Sequence, residues 1–352
     1  MLKIPVGWAR ADGPRHDVVL SSRIRLARNL ADAPFPARSS APALKRSLEA
    51  FFGAARRVPE LSGAAFVRMD DLDATDRLFL VERHLVSPHL AENPSGRGAI
   101  VADGECLSLM INEEDHLRLA ALRPGLSLPE AHSKARAVER SLASALPFAF
   151  RRDWGYLTSC PTNLGTAMRV SALVHLPGLA LAGLIERLFE NLTRLGLIVR
   201  GLYGEGTKVL GDFYQISNAA ALGRTEAEII AAVGKAVGQV ADREAESRAK
   251  LCAGSGRNRI EDLVHRSAGV LQNARLLSFE EAGQHLSYLR MGLGLGWSLP
   301  GSPALANELA IVTQPAHMQM RAQRELSPPE RDAARAAFVR ARLAAATSFG
   351  RC

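Results

Sequence analysis

The stretch RGAIVADGECLSLMINEEDHLR, Arg97–Arg118, decides how the chain folds. Two apolar runs, AIVA and CLSLMI, flank Asp103–Gly104, a turn signal between extended segments. The pattern predicts an antiparallel hairpin. Directly after its second strand come Asn112, Glu113, Glu114, Asp115, His116 and Arg118, six polar residues in seven positions. Charge concentrated at a strand end is either a solvated turn or a site.

Working outward, ALKRSLEAFFGAARR (43–57) has helical spacing, and LVERHLVSPHL (80–90) is apolar with a charged interruption. Residues 129–146 read as a helix, WGYLTSC (154–160) as a strand, and PTNLGTAMRVSALVHLPGL (161–179) as a loop and strand. LAGLIERLFENLTRLG (181–196) is predicted as one amphipathic helix with Gly196 at its C-terminus. Thr225 with Glu228, Ser278 with Glu281 and Ser327 with Glu330 carry the capping-box spacing of helix starts. CAGSGRN (252–258) is the best linker, and few strand signals follow residue 220. The expected architecture is a mixed α+β domain over 1–253 and an all-α domain over 254–352.

The 352 residues are 47% hydrophobic and 23% charged, ordinary for a globular protein. No apolar run reaches the ~18 residues of a membrane span. The N-terminus lacks a signal-peptide core, so a cytoplasmic location is expected. The four cysteines, Cys106, Cys160, Cys252 and Cys352, form no CxxC pair. The net charge of +8 fits a polyanionic partner. The basic residues are 6 Lys and 38 Arg, a bias that coding composition alone can produce. Aromatic content of 5% and the lack of a zinc or stacking motif argue against nucleic acid.

No Walker A, HExxH or GxSxG motif occurs, and GLGLGW (292–297) lacks the GxGxxG spacing and reads as a helix end. What remains is a set of arginines at the ends of strand-like runs: Arg23, Arg25, Arg118, Arg169 and Arg200. Arg23 and Arg25, two apart, share a face of a strand. Each alone reads as surface charge. Together they offer forked donors to a transferring phosphoryl group, whose oxygens carry spread charge. A guanidinium acceptor, with a pKa above ~12, adds a need for carboxylates to hold it and take its proton. Glu113, Glu114 and Glu205 are available for that.

Four blocks, SSRIRLARN (21–29), NEEDHLR (112–118), CPTNLGT (160–166) with Arg169, and RGLYGEG (200–206) with ISNAAALGRTE (216–226), resemble the ATP:guanidino phosphotransferase (phosphagen kinase) family in order and register. The resemblance implies a catalytic domain with an antiparallel sheet flanked by helices, and ATP with Mg2+ as cosubstrate. It implies that Arg23, Arg25, Arg118, Arg169 and Arg200 bind nucleotide phosphates, that Ser21 contacts phosphate and that His84 lies near the adenine. Glu114 takes the place of the general base, Glu205 that of the second carboxylate on the guanidinium, and Cys160 that of the cysteine beside it. No protein metal ligand is implied.

Three departures stand out. Around Glu205, where small-guanidine kinases have another arginine and a histidine, stand Tyr203 and Gly206. Family members acting on small guanidino compounds carry a helical domain before the first arginine block, which starts here near residue 18. The family's nucleotide-contacting histidine falls at Leu173, and its role does not transfer to His175. These departures and the C-terminal helices resemble the family's protein-arginine kinases, which phosphorylate arginine side chains in proteins and mark them for a Clp protease. RDAARA (331–336) resembles their phosphoarginine-binding motif, with Asp332 and Arg335 on one helix face. The implied partners are proteins with exposed or unfolded arginines, an activator protein, a Clp ATPase-protease and a second copy of the chain. A kinase for a small free guanidine and a non-catalytic phosphoarginine-binding adaptor are the alternatives.

Overall fold

Alternation along one central strand sets the architecture. In β1 (Val19–Arg28) Ile24 and Leu26 are fully buried, while Arg23 and Arg25 between them point the other way. The computed structural model describes residues 6–201 and 210–349. The other strands are β2 (Ala65–Arg68), β3 (Gly98–Ala102), β4 (Leu107–Ile111), β5 (Leu117–Pro124), β6 (Phe150–Arg151), β7 (Gly155–Tyr156), β8 (Met168–His175), β9 (Leu197–Gly201) and β10 (Phe213–Asn218). Eight of them form one sheet in the order β2-β3-β4-β5-β1-β8-β10-β9, with every neighbouring pair antiparallel. β6 and β7 form a separate small hairpin.

The helices before residue 252 are α1 (Ala41–Ala55), α2 (Ala74–Glu82), α3 (Pro88–Glu92), α4 (Leu128–Ala143), α5 (Pro177–Leu181), α6 (Ile185–Arg194) and α7 (Glu226–Leu251). After the short turn Gly254–Gly256 come α8 (Arg257–Asn273), α9 (Phe279–Gly294), α10 (Pro303–Val312), α11 (Pro315–Ala322) and α12 (Pro328–Phe349). This is the expected α+β, phosphagen-kinase-like sheet domain followed by helices. The main core lies on one face of the sheet. Ile24, Leu26, Leu109, Leu119, Val170 and Ile216 pack there against Phe51 of α1, Val138 of α4 and Val237 of α7.

The quoted hairpin is β3–β4, with Ala102 opposite Leu107. Its connection is wider than an Asp-Gly turn. Asp103, Gly104 and Glu105 all have positive φ, at 52°, 57° and 72°. The reason is tertiary: Glu105 is buried, and both its carboxylate oxygens accept from Arg83 Nε, at 2.7 and 2.9 Å. WGYLTSC supplies only the two residues of β7. The single helix expected over 181–196 is broken, because Gly183 has φ 68° and ends the turn that follows α5. Gly196, at φ 73°, closes α6 as expected, and Thr225 with Glu228 forms a complete capping box on α7. GLGLGW is the end of α9.

The helical part is joined to the sheet through a buried arginine. Arg290 of α9 donates to the carbonyls of Asp17 (2.9 Å) and His16 (2.7 Å), to Asn307 Oδ1 (2.6 Å) and to His175 Nδ1 (2.8 Å). His175 therefore donates through Nε2 to Ser287 Oγ at 2.8 Å. This is why His175 sits outside the arginine cleft.

Leu109 is fully buried in the main core, opposite Leu119 of β5. Leu109→Ala is expected to cost about 2–5 kcal/mol in urea unfolding, with little change in the arginine face behind it.

Candidate active site

The face of the sheet turned away from the main core collects the arginines. Arg25 is directly opposite Arg169 across β1 and β8, Arg118 is paired with Met110 across β5 and β4, and Arg200 lies opposite Gln215 across β9 and β10. Strand parity puts Ser21, Arg23, Arg25, Arg118, Arg169, Ser171 and Gln215 on that face. Gln215 Oε1 accepts from Arg23 Nη2 at 2.5 Å and fixes its direction.

Two cavities open on this face and share Arg25, Arg118 and Arg200. One, of about 380 Å³, is walled by Val81, His84, Leu85, Val86, Ser87, Met110 and Gln215. It is an apolar slot with arginines at one end. The other, of about 310 Å³, is lined by Glu114, Cys160, Thr162, Asn163 and Arg169. A small side cleft of about 20 Å³ holds Ser21 with Trp8, Arg23, His84 and Leu173. Thus all the described candidates from the sheet and its loops are brought together. Glu205 lies outside the described residues.

The acidic stretch is mostly scaffold. Asn112, at φ 60°, donates to the carbonyls of Leu44 and Gly96, both at 2.8 Å, and accepts from Ser47 Oγ at 2.9 Å. Asp115 Oδ1 accepts from Asn29 Nδ2 (2.6 Å) and from the Ser159 N–H (2.8 Å). Asn29 Oδ1 accepts from the His116 N–H at 2.9 Å. Glu113 is buried, with its oxygens 2.8 Å from Ser87 Oγ and 2.8 Å from Arg118 Nη1. Glu114 alone of the three acids lines the 310 Å³ cavity; it is 38% exposed and 3.2 Å from Arg118 Nη2. Its backbone carbonyl accepts from Ser159 Oγ at 2.8 Å, next to Cys160. Cys160 Sγ lies 3.0 Å from Thr162 Oγ1.

Like charges dominate the electrostatics. Burial, then Arg118 and Arg169, push the Arg23 guanidinium down to about 10. Burial and the same crowding depress Arg25 strongly. Arg169 is lowered by burial, then by Arg200 and Arg118. A guanidinium keeps its proton in proteins, so the cleft is a focus of positive potential suited to a polyanion. Burial, then Arg23, push His84 down to about 3, so it is a neutral imidazole at neutral pH. His84, at φ 58°, stands edge-on to Trp8.

Sequence reasoning missed the residues that hold this cleft in shape. Arg28 is fully buried against Glu139 (3.0 Å) and stacks over Tyr156 at 3.5 Å. Glu82, at the end of the helix leading to His84, caps α11 of the helical part. Its oxygens accept from the N–H groups of Ala316 (2.8 Å) and His317 (3.1 Å) and face His317 Nδ1 at 2.7 Å. Only strand parity carried a signal in advance, for Met110 and Gln215. Asp332 and Arg335 of RDAARA share one helix face and pair with each other. Arg335 is 1% exposed and donates to the carbonyls of Thr313 and Leu277, both at 2.7 Å, and to Asp332 at 2.6 Å. Its guanidinium is already committed within the helical part.

Residues 48–247 match the model described as ATP:guanido phosphotransferase, C-terminal catalytic domain. Residues 257–350 match that described as Protein-arginine kinase McsB C-terminal domain. The chain is 46% identical over 341 residues to the protein-arginine kinase of Symbiobacterium thermophilum, covering 96% of each. It is 40% identical over 339 residues to that of Bacillus subtilis, covering 96% of this chain and 93% of that one. The chain belongs to the protein-arginine kinase family. Among solved structures, the duplicated taurocyamine kinase from Schistosoma mansoni, with bound transition state analog components, aligns at a TM-score of 0.60 and 26% identity. That alignment covers 67% of this chain and 34% of that one. Lombricine kinase aligns at 0.58 and 23% identity over 71% of each, which speaks for the fold. In this protein-arginine kinase family member, β1 with Arg23 and Arg25 precedes the catalytic-domain match, yet it is the strand hydrogen-bonded to both β5 and β8.

Two outcomes are expected. Inorganic tripolyphosphate at about 100 times its Kd should raise the melting temperature by roughly 5 °C, and Arg25→Gln should abolish most of that shift. Below neutrality, the unfolded chain takes up protons on histidine from about pH 6.5. His116, whose burial pushes it down to about 4, and His84, at about 3, do so only later in the folded state. Stability therefore falls as pH drops through that window, and His116→Gln should flatten the upper part of the curve in pH-resolved urea unfolding.

Proposed function

We propose that this protein-arginine kinase transfers the γ-phosphoryl group of Mg-ATP to a guanidino nitrogen of arginine in protein substrates. The observation that carries the reading is the pair of cavities meeting at Arg25, Arg118 and Arg200. The base enters the apolar slot beside neutral His84. The phosphates run onto Arg23, Arg25, Arg118, Arg169 and Arg200, with Ser21 at the side cleft. The acceptor guanidinium enters the second cavity, beside Glu114 and Cys160.

In-line attack places negative charge on the transferring oxygens, and forked arginines stabilise it without rearrangement. Glu114 accepts the guanidinium proton as the P–N bond forms. Glu205 is the proposed second carboxylate, by its match in RGLYGEG. Cys160 borders the guanidinium and takes no covalent part. Magnesium bound with the nucleotide would be held by phosphates and water and would supply countercharge to them; no protein ligand is assigned to it.

The wider reading is a cytoplasmic homodimer, with domains over 1–253 and 254–352, that works with an activator protein and marks proteins for a Clp-type protease. It rests on the family match of the C-terminal helices. Phosphoarginine binding at Asp332 and Arg335 belongs to it too, supported by the RDAARA match and by the 34% exposure of the Asp332 carboxylate. It requires Arg335 to exchange a carbonyl for phosphate oxygens. Free phosphoarginine is then expected to bind by calorimetry, and Asp332→Asn to weaken it at least tenfold. Equal binding by the variant excludes the pair.

The central test is phosphoamino-acid analysis of casein after incubation with Mg-ATP, under non-acidic conditions because the P–N bond is acid-labile. Phosphoarginine is expected, with Glu114→Gln lower by roughly 10²–10⁴-fold. Arg169→Lys is expected to lose most of kcat, since an ammonium cannot reproduce the fork. Turnover of free arginine in place of casein assigns the chain to small guanidines. Phosphoarginine binding with turnover of neither assigns it to adaptors.

A further inference from the structure

Among the described residues seven large apolar side chains are well exposed, and three of them, Phe150 (58%), Trp154 (47%) and Leu222 (46%), gather at one place. Scattered single exposures need no explanation, but a cluster does. The place adjoins, through the loop that ends at Gly165, the cavity that holds Glu114 and Cys160.

The connection is made by backbone. The loop carrying Cys160, Thr162 and Asn163 ends at Gly165, which donates to the Trp154 carbonyl (3.0 Å) and accepts from the Tyr156 N–H (2.9 Å). Gly155 and Gly165 approach so closely that a Cβ on Gly155 would fall 2.3 Å from the Gly165 carbonyl oxygen. A Cβ on Gly165 would fall 3.0 Å from Leu222 Cα. The β6–β7 hairpin, the cysteine loop and Leu222 thus form one continuous surface.

That surface is held firmly from below. Tyr156 packs edge-on to Phe150 at 5.3 Å, donates to Glu139 at 3.1 Å and lies under the Arg28 guanidinium. The hairpin is anchored into the core by one aromatic residue while Phe150 and Trp154 face solvent. An anchored hairpin presenting apolar groups beside a reactive pocket resembles a binding rim more than a folding accident.

We propose that Phe150, Trp154 and Leu222 form a docking rim for apolar side chains flanking the target arginine of an unfolded polypeptide. The inference rests on the assignment of the neighbouring cavity to the acceptor guanidinium. In an extended chain each residue advances about 3.3 Å, so neighbours a few positions from the arginine run out over the rim. Folded proteins bury such apolar neighbours, and unfolded ones expose them. The rim therefore selects the unfolded state by chemistry rather than by sequence.

The test compares two fluorescein-labelled peptides, Gly-Leu-Phe-Arg-Phe-Leu-Gly and Gly-Gly-Gly-Arg-Gly-Gly-Gly, by anisotropy on the full chain and on Trp154→Ser/Leu222→Ser. The apolar peptide is expected to bind about tenfold more tightly, and the double variant to lose most of that ratio. Trp154→Phe alone should keep it. Equal affinities on the unsubstituted chain overturn the proposal, as does an unchanged ratio in the double variant. A shift of the double variant to a smaller species in size-exclusion chromatography also overturns it, by making the patch a contact between copies. The readout needs no turnover. Selective binding without phosphoarginine formation would refute the kinase chemistry and leave the rim standing.

Discussion

Burial of one face of an antiparallel sheet is the constraint on which the rest of the structure depends. Ile24 and Leu26 must face the core under α4 and α7, and the pleat then forces Arg23 and Arg25 to the opposite side. The same rule acts in β5, where Leu117, Leu119 and Ala121 go inward and Arg118 outward. It acts again in β8, where Val170 and Ala172 go inward and Arg169 outward. A slip of one residue in any strand would bury guanidinium groups in an apolar core. Thus the hydrophobic effect positions the cationic site, although no arginine contributes to it.

Gathering guanidinium groups on one face has an electrostatic cost, visible in the lowered proton affinity of Arg23, Arg25 and Arg169. Glu113 offsets part of it through Arg118, and a bound polyphosphate would offset the rest. The acidic stretch after β4 answers the puzzle of its composition in two ways. Asn112, Asp115 and His116 spend their polarity on hydrogen bonds that fix the loop. Only Glu114 reaches the cavity, and its neighbours fix where it points.

The helical part is built into this arrangement. Glu82 ties α11 to the segment that walls the apolar slot, and Arg290 ties α9 to the chain entering β1 and to the end of β8. Arg335 binds the carbonyl of Thr313, just before α11. Buried, multiply bonded arginines of this kind are costly to break and resist relative movement. The shape of the apolar slot therefore depends on residues more than two hundred positions downstream.

The sequence by itself determined the alternation of strands, the helical C-terminal part and the order of the arginine blocks, because pleat periodicity and capping chemistry are local. Family membership was legible too, since NEEDHLR and CPTNLGT are contiguous. What only the tertiary structure decided were pairings between distant residues. The match in NEEDHLR singled out Glu114, but composition alone treats Glu113 and Glu114 alike, and only the fold shows Glu113 buried against Ser87 while Glu114 lines the cavity. Asp332 and Arg335 could be placed on one helix face from the sequence, and only the fold shows that Arg335 also bonds the carbonyls of Thr313 and Leu277. The Asp103–Gly104 turn widened because Arg83 draws Glu105 inward. Each of these rests on burial, which a one-dimensional pattern predicts for apolar residues and leaves undetermined for charged ones.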